Sequence, residues 1–418
     1  MTTRRITSDW LRDPLLQSVL AVLNAGDEEA RIVGGPIRNA LLGAPVSDID
    51  IATTCLPDET VRRVEAAGFK AVPTGIAHGT ITVVADRRPF EVTTLREDLA
   101  TDGRHAAVRF GRDWEADARR RDFTVNALYA TAEGEIVDWV GGLADIESRT
   151  LRFIGDPEAR IKEDFLRILR FFRFFAWYGT GRPDADGIRA SARLKAGLTR
   201  LSAERVWSEL KKLLGAPDPG RALLWMRQSG VLSAVLPESE RWGIDNIHPL
   251  IEAERAFGWS ADPLLRLLTI VPPDAARLAQ LANRLKLSNQ DRDRLLAYAD
   301  AEAPDPAEAD GALRTRLYFG DATAIADRTK IALALARDKQ DLDAASRLSA
   351  QHDLAERFAP PDFPLSGQDL MNVGFQPGPE LGRSLAQLKR GWAEGGFVAG
   401  RDRLLEKAGQ LARGSQKG

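Results

Sequence analysis

Residues 47–53 read Ser-Asp-Ile-Asp-Ile-Ala-Thr. The β-branched residues predict a strand over Val46–Ala52, and the stretch carries two carboxylates, Asp48 and Asp50. Residues two apart on a strand point to one face, so these charges stand roughly 7 Å apart along it. Like charges held this close repel, and burying them is costly unless something pairs them. A divalent cation does so. Mg²⁺ takes oxygen ligands, commonly one or two carboxylates together with substrate phosphates. A pair of such ions stabilises the attacking and leaving oxygens of a nucleotidyl displacement. Taken alone, an Asp-x-Asp pair fits an exposed edge strand equally well. Glu91, on a second predicted strand that can neighbour the first, is the candidate for a third carboxylate.

The residues upstream favour the phosphate chemistry. Ala30–Val33 reads as a strand ending at Gly34-Gly35. Pro36 suits the first turn of a helix running to Leu42, and Gly43 suits its stop. Glycine lets a ligand approach the backbone, and free N–H groups at a helix start favour an anion. Gly35 and Arg38 are therefore candidate phosphate contacts. Basic residues crowd the next region, with Arg104, Arg109, Arg112, Arg119, Arg120 and Arg121, then Arg160, Lys162, Arg167, Arg170 and Arg173. Such patches hold phosphates even on a chain of net charge −2. Solvated, salt-bridged faces would give the same pattern.

Within a predicted helical stretch over Glu158–Tyr178, Asp164 and Arg167 are three apart and share a face. Aspartate accepts hydrogen bonds and arginine only donates. Cytosine and adenine both place an exocyclic amine beside a ring-nitrogen acceptor, whereas uracil and guanine reverse that order. One Asp/Arg pair can thus accept two bases and reject two, each bidentate contact discriminating by roughly 1–3 kcal/mol. The bland alternative is a local ion pair between the two. Phe165, Phe171, Phe172, Phe174 and Phe175 read as helix core.

The elements that must position these groups fall into two zones. The first 150 or so residues mix strands and helices, with Thr80–Ala85 and Phe90–Leu95 as a hairpin and Ile136–Trp139 as a further strand. After residue 155 the pattern is helical, broken at 180–187, 216–220, 303–306 and 359–364. The expected organisation is a head (1–150), a neck (151–215), a body (216–360) and a tail (361–418). The chain's 418 residues exceed one core. Its 44% apolar and 28% charged residues describe a globular protein. The single cysteine, Cys55, excludes an intramolecular disulfide, and four histidines argue against a histidine metal cluster. No run approaches the ~18 apolar residues of a membrane span, and no apolar leader is evident, so a cytoplasmic enzyme is expected.

Taken together, Val33-Gly-Gly-Pro-Ile-Arg-Asn-Ala-Leu-Leu-Gly43 and Ser47-Asp-Ile-Asp-Ile-Ala-Thr-Thr54 resemble the head signature of the class II tRNA nucleotidyltransferase and poly(A) polymerase family. His78-Gly-Thr80 follows in the family's order. Arg120-Arg-Asp-Phe-Thr-Val-Asn-Ala127 resembles its ribose-binding motif. Asp138-Trp-Val-Gly-Gly-Leu-Ala-Asp145 and Ile154-Gly-Asp-Pro-Glu-Ala-Arg160 resemble its head–neck junction, and Glu163-Asp-Phe-Leu-Arg167 its base-recognition segment. Ser366-Gly-Gln-Asp-Leu-Met371 and Gln376-Pro-Gly-Pro-Glu-Leu-Gly382 are similar to its tail. Asn39 departs from the pattern, which has aspartate after the first motif's arginine.

The resemblance implies a polymerase-β-like α/β head followed by an all-α neck, body and tail. It implies Mg²⁺ on Asp48 and Asp50, and triphosphate on Gly35 and Arg38. Ribose and phosphate would fall to Arg121 with Asp122 and Asn126, and the base to Asp164, Arg167, Arg170 and Arg173. The implied activity is untemplated addition of C, C and A to the tRNA 3′ end from CTP and ATP. Leu95–His105 resembles the loop that CCA-adding members keep and CC-adding members shorten. The alternatives are a poly(A) polymerase of the same family, or a non-catalytic RNA-binding homologue.

Overall fold

The computed structural model describes residues 4–102, 105–240 and 244–415. The chain parts into two compact units, Met1–Pro237 and Glu238–Gly418. The first holds all of the described strands. These are β1 (Ala30–Val33), β2 (Asp50–Thr53), β3 (Lys70–Gly75), β4 (Thr80–Ala85), β5 (Arg88–Thr94), β6 (Arg96–Asp102), β7 (His105–Phe110), β8 (Leu128–Ala130) and β9 (Ile136–Asp138). Seven of them form one sheet in the order β3-β4-β5-β2-β1-β8-β9, and β6 pairs with β7 apart from it.

The sheet is wider than the five predicted strands. β3 carries Pro73 and ends at Gly75, and it lies at the sheet edge, where a missing N–H is tolerated. β8 is three fully buried residues and offers no alternation to read. β2 is shorter than the predicted Val46–Ala52. Its partner β1 turns away at Gly34 (φ +73°) into the helix Gly35–Leu42, so the backbone of residues 46–49 has no strand to pair with on that side. That helix ends at Gly43 in the left-handed conformation (φ +68°), as predicted. Under the sheet, Val33, Ala52, Leu95, Trp114, Ala118, Ala127, Tyr129 and Ile154 form one core cluster.

The predicted helical stretch over Glu158–Tyr178 is two helices, Pro157–Glu163 and Leu166–Tyr178. Asp164 lies in the break, with extended φ −154° and ψ 108°, and its carboxylate accepts from the Leu166 N–H at 3.1 Å. Asp164 and Arg167 therefore do not share a helix face. Phe171, Phe172, Phe174 and Phe175 are buried, as expected of helix core, and Phe165 is half-buried. Helix Ala203–Leu214 packs against Leu166–Tyr178.

The second unit is helical throughout its described residues, from Ile247–Phe257 to Arg401–Ser415. It buries an Arg266–Glu254 ion pair, and its last three helices enclose a core of Leu370, Phe375, Leu388, Trp392 and Leu404. No helix is long and apolar enough to cross a membrane among the described residues.

Candidate active site

β2 runs parallel to β5, with Asp50 in register opposite Glu91. The strand neighbour proposed for Glu91 is thus its actual neighbour. Ile49 and Ile51 are buried, whereas Asp48 is exposed and Asp50 half-buried. Asp48 stands just ahead of the strand rather than on it, because β2 begins at Asp50. Burial pushes the Asp50 carboxyl up, and Glu91 and Asp48 add to the rise, while Arg121 and Arg38 oppose it. An aspartate crowded by two further carboxylates, in an oxygen-only donor set, matches the needs of a hard divalent cation. No three His, Cys, Asp or Glu side chains form a ready-made metal cage among the described residues.

At the strand–helix turn, a Cβ placed on Gly34 would stand 3.2 Å from the Asn126 carbonyl and 3.9 Å from Arg121 Nη1. Arg38, one turn into the helix, is buried. Its Nη1 donates to Asn126 Oδ1 and its Nη2 donates to Tyr178 Oη at 3.0 Å. The guanidinium lies over the Tyr178 ring at 4.2 Å and the Phe174 ring at 5.1 Å. Desolvation lowers its proton affinity, against support from Tyr178 and Asp122. Asn39 accepts from Arg38 Nε at 3.2 Å and from Nη2 at 3.0 Å, and donates to the Pro45 carbonyl at 2.8 Å. An amide at this position orients Arg38 without neutralising it.

Asp122 and Asn126 are buried side by side. Asp122 Oδ1 accepts from Asn126 Nδ2 at 3.1 Å, and its Oδ2 from Arg170 Nε at 2.7 Å. Burial works against the Asp122 charge, and Arg170 outweighs it, so the carboxyl is held below its usual range. Arg173 Nε stands 2.7 Å from Glu209 Oε2, and its guanidinium lies 4.1 Å from the Phe174 ring. Arg38, Arg170 and Arg173 thus share one aromatic ring. Asp164 Oδ2 accepts from Arg205 at 2.6 Å, and Arg167 donates to Glu163 and to the Arg160 carbonyl. The direct Asp164–Arg167 ion pair is not formed. Each residue is held by a different partner.

The structure therefore gathers Gly35, Arg38, Arg121, Asp122, Asn126, Arg170 and Arg173 into one connected cluster, and sets Asp50 and Glu91 on adjacent strands whose charges it feels. Sequence reasoning missed Asp117, Tyr129, Tyr178, Arg205 and Glu209. Asp117 had a readable signal, three and four residues before Arg120 and Arg121, which follow directly on its helix Trp114–Arg119. The others meet their partners eight or more positions away in the sequence and leave no helix-spaced pattern. Arg104, one of the basic residues noted above, lies outside the described residues.

A mixed sheet with adjoining carboxylates, a glycine turn and an arginine-lined neck defines a nucleotidyltransferase. Residues 30–152 match the model of the poly(A) polymerase head domain, and residues 185–242 the model described as the probable RNA- and SrmB-binding site of polymerase A. The mouse mitochondrial CCA tRNA nucleotidyltransferase 1 is 32% identical over 403 residues, covering 93% of this chain and 88% of its own. The CCA-adding enzyme of Streptococcus gordonii is 32% identical, covering 90% and 92%. The Bacillus stearothermophilus CCA-adding enzyme, solved in complex with CTP, superimposes with a TM-score of 0.74 at 27% identity over 96% of this chain and 98% of that one. The chain belongs to the class II CCA-adding enzyme and poly(A) polymerase family.

Proposed function

We propose that this chain is a CCA tRNA nucleotidyltransferase, which adds C, C and A to the tRNA 3′ end from CTP and ATP and releases pyrophosphate. The observation that carries this reading is the parallel β2–β5 register, which sets Glu91 beside Asp50 within a head whose relatives are named for that activity. The tRNA 3′ oxygen forms a bond to the α-phosphorus, and the bond from that phosphorus to the pyrophosphate oxygen breaks. Asp48 and Asp50 are the residues that would hold Mg²⁺, and Glu91 completes the carboxylate set. When bound, the ion supplies positive charge to the phosphoryl oxygens and relieves the repulsion at Asp50. Two carboxylates plus substrate phosphates is an ordinary Mg²⁺ environment, so a ready-made protein cage is not required.

Gly35 and Arg38 line the triphosphate side. Arg121, with Asp122 and Asn126, faces the ribose. In the neck, Asp164 accepts from the exocyclic amine shared by cytosine and adenine, and Arg167 donates to the ring nitrogen. Arg205 fixes the Asp164 carboxylate and Glu163 fixes Arg167, while Arg170 and Arg173 complete the lining. The helical second unit grips tRNA.

The test is incubation of the full chain with a tRNA transcript lacking its 3′ CCA, with each nucleotide alone and then together, followed by sequencing of the ends. The expected products are C-C with CTP alone, one A once ATP is added, and nothing from UTP or GTP. Long A tracts on RNA of any sequence would favour a poly(A) polymerase. Binding of tRNA with no incorporation would leave a non-catalytic RNA binder.

A further inference from the structure

The carboxylate beneath Arg120 and Arg121 is more heavily engaged than a helix salt bridge needs. Asp117 is 1% exposed, on the helix Trp114–Arg119. Its Oδ1 accepts from Arg120 Nε at 2.8 Å and Nη2 at 2.6 Å. Its Oδ2 accepts from the Tyr129 hydroxyl at 2.6 Å, and from Arg121 Nε at 3.2 Å and Nη2 at 3.1 Å. The Tyr129 oxygen in turn accepts from Arg121 Nε at 2.9 Å. Tyr129 is fully buried in the core cluster, wedged edge-on by Trp114 and Trp139. The anchor of the triangle is therefore as rigid as the sheet.

Two consequences follow for Arg121. Its Nε and Nη2 are occupied by Asp117 and Tyr129, which turns its Nη1 edge to the strand–helix turn, 3.9 Å from where a Cβ on Gly34 would be. One carboxylate shared by two guanidiniums also leaves a positive charge in excess, and Arg121 is close enough to Asp50 to pull against its raised carboxyl. A long side chain fixed before its ligand arrives does not have to be ordered on binding.

We propose that Asp117 is a positioning residue of the transfer reaction: buried under Arg120 and Arg121, and braced by Tyr129, it holds the Arg121 guanidinium pointed at the Gly34–Gly35 turn, where a nucleoside triphosphate is bound. This rests on the functional reading above. Asp117 does not touch substrate. It acts through Arg121, and so its loss falls on nucleotide capture more than on turnover.

The experiment uses the full chain, tRNA lacking its CCA end, and CTP and ATP. Asp117→Asn keeps the shape and removes the charge. Its KM for both nucleotides is expected to rise about tenfold or more, the scale of a lost charge-assisted contact, with kcat much less affected. In an Arg121→Lys background the same substitution should lower kcat/KM by less than about threefold further, since groups acting as one unit are not additive. An unchanged KM, or costs that multiply in the double variant, overturns the proposal. Should Asp117→Asn fail to fold, Tyr129→Phe carries the test. It removes only the brace, and a KM for CTP and ATP equal to wild type would overturn the proposal. Wild-type protein that adds no nucleotide sinks the functional reading and this proposal with it. Active wild type beside an Asp117→Asn variant of normal KM sinks this proposal alone.

Discussion

At the scale of single residues, the carboxylates were the most legible part of the site. Asp48, Asp50 and Glu91 announced themselves because charge in a predicted strand needs a reason, and the strand of Glu91 does neighbour that of Asp50, with the two residues in register. The partners that hold the neck residues were not legible. Arg205 and Glu209 reach Asp164 and Arg173 across more than thirty positions of sequence, and nothing local marks such pairs. The burial and like-charge neighbours that push Asp50 up mean that the ion-free fold carries unrelieved repulsion there. Asp50→Ala removes that repulsion and the proposed ligand for the cation at once. Nucleotide addition should fall by several orders of magnitude, because metal-borne charge stabilisation is worth several kcal/mol in the transition state. Affinity for tRNA should stay within about twofold, as phosphate contacts elsewhere dominate it. In the same samples, millimolar Mg²⁺ with CTP should raise the melting temperature of wild type and leave that of Asp50→Ala nearly unmoved. Turnover close to wild type at saturating Mg²⁺ would remove Asp50 from the site.

At the scale of elements, periodicity and turn chemistry recovered what alternates or caps cleanly: β1, the helix Gly35–Leu42 with its glycine stop, and the β4–β5 pair. It failed where tertiary pairing decides. β2 lost its first residues when β1 turned at Gly34, and the long neck helix broke at Asp164, whose side chain satisfies the next helix's first N–H. The stretch 96–110, which holds most of the loop compared above with that of CCA-adding members, forms a hairpin of its own outside the main sheet. Its root is tied to the head. The Gly111 N–H donates to the Leu95 carbonyl at 2.9 Å, Arg96 donates to the His78 carbonyl, and a Cβ on Gly79 would press on the Phe110 ring at 2.6 Å. Residues 103 and 104 lie outside the described residues. An element joined at its root and unpaired with the sheet can be shortened without unfolding the head. Replacing residues 98–107 by a short Gly-Ser linker should therefore leave the melting temperature within a few degrees. Addition of the two C residues should persist, and addition of the final A should drop at least about tenfold, if the hairpin moves the chain end between the two steps. An equal loss of C and A, read by sequencing the product ends, would mean that it acts as plain scaffold.

At the scale of the whole molecule, the division into Met1–Pro237 and Glu238–Gly418 bears directly on how ligands act. Every group placed in the nucleotide site, from Gly35 to Glu209, belongs to the first unit. The second unit carries its own cores and its own buried ion pair, so it has the makings of a separate cooperative transition. A ligand stabilises only the structure it binds. At a hundredfold excess over its dissociation constant, CTP contributes about 2.7 kcal/mol to that unit. For units of some two hundred residues, each kcal/mol moves the melting temperature by roughly 2–4 °C. Scanning calorimetry of the full chain should thus show one transition rising by roughly 5–10 °C with saturating CTP, and the other staying in place. A tRNA lacking its 3′ end, added without nucleotide, should also move the transition that CTP leaves alone, beside that of the first unit, which holds most of the 185–242 match, and these shifts should shrink steeply between about 50 and 200 mM salt as released counterions weaken phosphate binding. Asp50→Ala provides the internal control, because it should blunt the CTP shift in Mg²⁺ and leave the tRNA shift intact. If CTP moves both transitions together, or if the chain melts as one, nucleotide binding is shared between the units, and the residues of the first unit alone do not complete the site.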